Sequence, residues 1–173
     1  MFVENGMECL IAQSFAKNLG LYGERIGCAS IVCRSPAIAA AVDSQMRIVV
    51  RPMYSNPPVH GARIVVKVLG NPQLFEEWKK EMRDMSGRIK EMRQVLFDEL
   101  KKLGTPSISG DWSHIKSQIG MFSYTGLTAA QVDNITKRHH VYMLKDGRIS
   151  MAGLNRKNVA HMAKAMDDVI RNP

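Results

Sequence analysis

Short apolar runs and one long periodic stripe divide the chain. Cys9-Leu-Ile-Ala12 is an apolar run that reads as a buried strand within Glu8–Ser14. The glycine-punctuated loop Asn18–Gly27 leads to a second β-type run, Ala29–Cys33. Ser35-Pro36 supplies a cap and a first-turn proline, and the alanine-rich helix it opens is expected to reach about Ile48. Three prolines among the eight residues Arg51–Pro58 should break that helix. Another helix is expected from about Pro58 to Leu69. Then Phe75, Trp78, Met82, Met85, Ile89, Met92, Leu96, Leu100 and Leu103 fall three or four apart, one face of a long amphipathic helix. Asn71-Pro72 opens it, Gly87 interrupts it at a cost of roughly 1 kcal/mol, and Gly104-Thr-Pro106 stops it. Beyond it the pattern predicts a loop to about Trp112, a strand near Ile119–Thr125 and a helix from Thr128 to about His139. A β-pair across Val141–Met151, turning at Asp146-Gly147, and a helix over about Asn155–Ile170 complete it.

This order is α/β up to about Leu69, followed by a long helix and a small α+β unit, with a boundary near Gly70. The first part is too short for a complete layered domain. A buried strand needs neighbours on both sides, so the chain is expected to begin inside a larger domain.

Composition narrows the class. With 173 residues, 45% hydrophobic and 23% charged, a packed core is feasible. The longest apolar runs, such as Ala37–Val42, fall far short of the roughly 20 residues a membrane span needs. Three cysteines, Cys9, Cys28 and Cys33, form no C-x-x-C pair, which suggests a reduced, intracellular setting. The net charge of +8 raises nucleic-acid binding. Yet the cations are spread: five Lys/Arg against four Asp/Glu in residues 1–60, ten against seven in 61–110, nine against five in 111–173. With only 6% aromatic residues for base stacking, neither a nucleic-acid nor a membrane partner is expected.

The candidate chemistry begins with Ser14-Phe-Ala-Lys17. The Ser-x-x-Lys spacing occurs in serine acyl-enzymes, but their Ser-Asp-Asn and Lys-Thr-Gly elements are missing. Lys17 is either a solvated loop lysine or a Schiff-base amine, a role suited to a lysine just past a strand end. Ser14 and Arg25 flank it, and a hydroxyl with a guanidinium can clamp a phosphate; alternatively Arg25 pairs with Glu24 on the surface. Arg148 follows a turn and by itself reads as a surface arginine. The five histidines show no metal-ligand spacing, so no metal site is expected.

Four motifs carry a resemblance. Gln13-Ser-Phe-Ala-Lys-Asn-Leu-Gly-Leu-Tyr-Gly-Glu-Arg-Ile-Gly27, Arg51-Pro-Met-Tyr-Ser-Asn-Pro-Pro-Val-His-Gly-Ala-Arg63, Gln118-Ile-Gly-Met-Phe-Ser-Tyr-Thr-Gly-Leu127 and Lys145-Asp-Gly-Arg-Ile-Ser-Met-Ala-Gly-Leu154 resemble aspartate aminotransferases, in order and at compatible spacing. The resemblance covers essentially the whole chain and is closest to plant-type enzymes. It implies an α/β, fold-type I pyridoxal-phosphate-dependent transferase fold, truncated to its C-terminal part. Residues 1–69 would be the end of the cofactor-binding large domain, and 70–173 the small domain.

The resemblance implies roles residue by residue. Lys17 forms the Schiff base with pyridoxal 5′-phosphate and carries the proton between substrate Cα and the cofactor. Ser14 and Arg25 bind the cofactor phosphate. Arg148 grips the substrate α-carboxylate, and Arg51, reaching into the other subunit's site, holds the side-chain carboxylate. Asn56 and Phe122 line the substrate site. The reaction implied is amino-group exchange between L-aspartate and 2-oxoglutarate by a homodimer, part of amino-acid metabolism, in cytoplasm or organelle. Two arginines suit two carboxylates.

The family's partners for the pyridine nitrogen, phenolic oxygen and ring face lie upstream of the lysine, and no residue here takes those roles. Without the pyridinium a transaminase should be badly crippled. The chain is therefore expected to be either a fragment of an active parent or a short inactive product. In the second case the 75–103 stripe, close to a heptad seam, could serve as a dimerisation or interaction module.

Overall fold

In the computed structural model, residues 1–107 and 110–173 are described. They form two compact units, Met1–Met82 and Arg83–Pro173, and one long helix runs through the division. Positions 108 and 109, within the expected loop up to Trp112, lie outside the described residues.

In the first unit, β1 (Cys9–Ser14) pairs antiparallel with β2 (Gly27–Val32), from Cys9 opposite Val32 to Ser14 opposite Gly27. The expectation of a buried strand at Cys9–Ala12 is not met. Leu10 is 78% and Ile11 45% exposed, because the sheet has two strands and nothing in the unit covers its faces. Helix α1 (Pro36–Tyr54) starts where Ser35 Oγ accepts the Ile38 amide at 3.3 Å. It outruns the expected end at Ile48 and takes in Pro52. Pro52 falls in the last turn, where its missing N–H forfeits one backbone bond, to the carbonyl four residues earlier, and Ser55 ends the helix soon after at φ 63°. Helix α2 (His60–Gly70) begins two residues beyond the expected Pro58.

Helix α3 (Pro72–Leu103) has the expected bounds, and Asn71 Oδ1 accepts the Leu74 amide at its start. Its first turns belong to the first unit: the Phe75 and Trp78 rings stack at 5.6 Å, and Trp78 Nε1 donates to Asn18 O at 2.8 Å.

In the second unit, Met92, Leu96 and Leu100 of α3 enter a core shared with Ile115, Ile135, Met151, Met166 and Val169. A short helix α4 (His114–Ser117), which the pattern did not suggest, precedes β3 (Phe122–Tyr124). Helix α5 (Ala129–His139) opens on a Thr128–Gln131 capping box. The expected β-pair within Val141–Met151 does not form. Instead β4 (Arg148–Ser150) pairs antiparallel with β3, with Phe122 opposite Ser150 and Tyr124 opposite Arg148. A tight turn remains where Gly147 N–H donates to Leu144 O. Met151–Gly153 forms a 3₁₀ turn, and α6 (Val159–Arg171) starts later than the expected Asn155. The reason is local: Asn155 and Asn158 side chains capture the amides of Lys157 and Asn155 in a turn that competes with helix.

Candidate functional site

The sequence-predicted residues fall into three clusters, two in the first unit and one in the second. The first lies at one end of the β1–β2 pair. Because Ser14 sits opposite Gly27 and Phe15 N–H donates to Ile26 O, the intervening loop returns Arg25 to the strand end that carries Ser14 and Lys17. A side chain at Gly27 would place Cβ 2.7 Å from Gln13 O, so glycine permits the close pairing here. Ser14 Oγ accepts the Ala16 amide at 3.2 Å, which leaves its hydroxyl proton to donate. Lys17 is exposed, with Nζ 5.2 Å from the centre of the Tyr22 ring.

Arg25 holds a left-handed backbone, φ 50°, and its Nη1 donates to Tyr22 O at 3.2 Å. The surface alternative for Arg25 is not adopted: Glu24 Oε2 lies 3.0 Å from His60 Nδ1 instead. The first turn of α2 braces this segment, since a Cβ at Gly61 would lie 2.8 Å from Glu24 Cβ and 3.1 Å from Ile26 Cβ.

A second cluster forms where α1 ends. Arg51 and Asn56 line a cavity of about 490 Å³ with Asp43, Arg47 and Ser55. Arg47 Nε donates to Asp43 Oδ2 at 2.8 Å, so that carboxylate is already paired one turn before Arg51.

The third cluster lies on the β3–β4 sheet. Phe122 and Arg148 are diagonal neighbours on its exposed face, while Ser123 and Ile149 point to the core. The Arg148 guanidinium carbon lies 4.7 Å from the Phe122 ring centre. Asp146 Oδ1 accepts the Arg148 amide, and Thr125 Oγ1 donates to Gly147 O at 2.7 Å, fixing the turn before β4. At φ 82° and with Leu127 O 2.8 Å from any added Cβ, that turn needs Gly147. Both residues line a cavity of about 670 Å³ with Tyr142, Leu144, His161 and Met162. Among the described residues Arg148 makes no carboxylate ion pair, so its planar fork faces the cavity uncompensated.

The pattern missed Arg93. It is 3% exposed and donates to Ile115 O, Gly120 O and Phe122 O at 2.8, 3.0 and 2.7 Å. The signal was available, since Arg93 lies four residues after Ile89 and three before Leu96, on the apolar stripe. Among the described residues no three His, Cys, Asp or Glu side chains group as metal ligands. His139 Nε2 lies 2.7 Å from Asp168 Oδ2, and His161 Nε2 lies 2.9 Å from His139 O. The three cysteines are free thiols, and no described helix is long and apolar enough to cross a membrane.

An α/β unit with a lysine–serine–arginine corner, joined by a long helix to an α+β unit, defines the class: the fold of the pyridoxal-phosphate-dependent transferases of fold type I. Solved structures share it. An aspartate aminotransferase from Trypanosoma cruzi superposes at TM-score 0.92 with 48% identity, covering 99% of this chain and 43% of that one. An aromatic-amino-acid aminotransferase from Burkholderia pseudomallei, covalently bound to pyridoxal phosphate, superposes at 0.92 with 42% identity, covering 98% of this chain and 41% of that one. Aspartate aminotransferase 3, chloroplastic, of Arabidopsis thaliana is 56% identical over 170 residues, 98% of this chain and 37% of the relative. Residues 1–166 match the family Aminotransferase class I and II, and the chain belongs to that family. It spans about two fifths of the length of the relatives it matches.

Proposed function

We propose that this chain is the C-terminal portion of an aspartate aminotransferase that exchanges an amino group between L-aspartate and 2-oxoglutarate, giving oxaloacetate and L-glutamate. The observation that carries this is the gathering of Ser14, Lys17 and Arg25 at one end of the β1–β2 pair. That donor set fits pyridoxal 5′-phosphate: a hydroxyl and a guanidinium for the phosphate, a primary amine for the carbonyl. Among the described residues neither Lys17 nor Arg25 is neutralised by a carboxylate. When bound, the cofactor supplies an electron-withdrawing ring that stabilises negative charge at the substrate Cα.

The chain's own residues then divide the work. Ser14 and Arg25 hold the phosphate. Lys17 Nζ is the attachment point and afterwards the base that takes and returns the proton at substrate Cα. Arg148, backed by the Phe122 ring, orients the α-carboxylate, and Arg51, with Asn56 beside it, takes the distal carboxylate. Two guanidinium forks select dicarboxylates, because a shorter substrate leaves one cation unpaired.

We assign Arg51 to the site of a second subunit in a homodimer, residues 1–69 to the large domain and 70–173 to the small domain. We infer a plant-type affinity from the motifs; a nematode relative at 54% identity stands beside the chloroplast one at 56%.

The test is reductive trapping. Borohydride treatment of the chain with pyridoxal 5′-phosphate, followed by peptide mapping, should place the label on Lys17, and Lys17→Ala should abolish it. Label spread evenly over surface lysines, or unchanged in Lys17→Ala, would defeat the assignment. An interaction module built on the 75–103 stripe has less support, since Met92, Leu96 and Leu100 are already buried in their own unit.

A further inference from the structure

A buried arginine without a carboxylate partner is an expensive feature, because a desolvated cation is compensated only by dipoles. Arg93 is such a residue: at 3% exposure its fork meets three backbone carbonyls, and among the described residues it forms no ion pair. Burial lowers its pKa from the ordinary guanidinium value, although an arginine keeps its charge. All three acceptors, Ile115 O, Gly120 O and Phe122 O, lie on the segment that delivers Phe122 to β3. The Phe122 ring lies 4.7 Å from the Arg148 guanidinium carbon. From the same helix Arg88 donates to Leu154 O and Ala152 O, at 2.8 and 3.0 Å, just after β4. Both strands of the Phe122–Arg148 face are thus held from α3 by arginine forks.

We propose that Arg93 is a positioning residue, which fixes Phe122 by its carbonyl and through the ring sets the direction in which Arg148 offers its fork to a carboxylate. This rests on the carboxylate role given to Arg148 above. Lysine cannot replace Arg93, since a single ammonium lacks the planar spread of donors that spans three carbonyls.

Arginine side-chain NMR on the full chain tests this, with succinate as a non-reacting dicarboxylate. In the unaltered chain the Arg148 side-chain signals should carry an upfield ring-current displacement and respond to succinate. In Arg93→Lys they should move toward exposed-arginine positions and succinate affinity should fall about tenfold, a loss of about 1.4 kcal/mol, while amide signals from α5 and α6 stay in place. An Arg93→Lys chain with unmoved Arg148 signals and unaltered succinate affinity overturns the proposal. Should Arg93→Lys fail to fold, the unaltered chain decides. By reciprocity, saturating succinate must slow hydrogen exchange of the Arg93 guanidinium if the two are coupled, and unchanged exchange overturns the coupling. No succinate binding by the unaltered chain removes the carboxylate role of Arg148, and this proposal with it.

Discussion

Arg148 and Arg93 use the same side chain in opposite ways. Arg148 is exposed, stacked on a ring and without an anionic partner among the described residues, so its binding capacity is unspent. Arg93 is buried and spends its donors on carbonyls. Sequence motifs made Arg148 legible and gave Lys17, Ser14, Arg25, Arg51, Asn56 and Phe122 their expected roles. They were silent about Arg93: its place on the apolar stripe hints at burial, but which distant carbonyls take its donors is decided by tertiary structure.

The same holds for Asp168, whose partners lie far away in one case and one helical turn away in the other. Hydrogen bonds from His139 and then Asn172 hold its carboxyl below the usual carboxylate range. A depressed folded pKa means that the folded state binds fewer protons in acid. The stabilisation is therefore complete above the unfolded carboxylate pKa, about 3.9, and is lost as pH falls through the folded value. Urea midpoints for Asp168→Asn should lie below those of the parent at about pH 6 and converge with them near pH 2.5. A gap that stays constant with pH would show that the hydrogen-bond account is wrong.

Among the elements, α3 was the most legible, because nine apolar residues at helical spacing leave little choice of conformation. The structure adds that the stripe is not uniform: Leu96 is fully buried, whereas Met85 is 49% exposed. Leu96→Ala should cost about 3 kcal/mol in denaturant unfolding, and Met85→Ala less than about 0.5 kcal/mol. A coiled-coil seam would give comparable losses at both positions, together with a change in sedimentation.

The less legible elements failed for tertiary reasons. β4 pairs with β3 rather than with Val141–Leu144, a choice made by long-range hydrogen bonds that alternation cannot reveal. Helix α1 runs through Pro52 at the loss of one backbone bond near its end, an outcome the residue types alone do not announce. The turn chemistry of Asn155 and Asn158 delayed α6 in a way their residue types do announce.

Across the whole chain the apolar burial is uneven. Between residues 1 and 82 the buried hydrophobic side chains are Ala16 and Val65, while residues 83–173 bury Met92, Leu96, Leu100, Ile115, Ile135 and many more. Leu10, Ile48 and Met53 of the first unit are 78%, 63% and 69% exposed. Since apolar burial supplies most of the favourable free energy of folding, the β1–β2 hydrogen bonds should open at much lower cost than those of α6. Hydrogen exchange on the full chain at low concentration should therefore show β1 and β2 amides exchanging roughly a hundredfold faster than those of α6 and the second half of α3. Equal protection in both units would refute the uneven-burial argument. The homodimer proposed above makes the prediction depend on concentration. If second copies cover the exposed apolar side chains of β1 and β2, raising the concentration should protect these strands while leaving α6 unchanged, because mass action favours only the surface that association buries. Protection of β1 and β2 that ignores concentration, alongside sedimentation as a monomer, would leave Arg51 without a partner site to enter and would confine this chain's own chemistry to the Lys17 and Arg148 clusters.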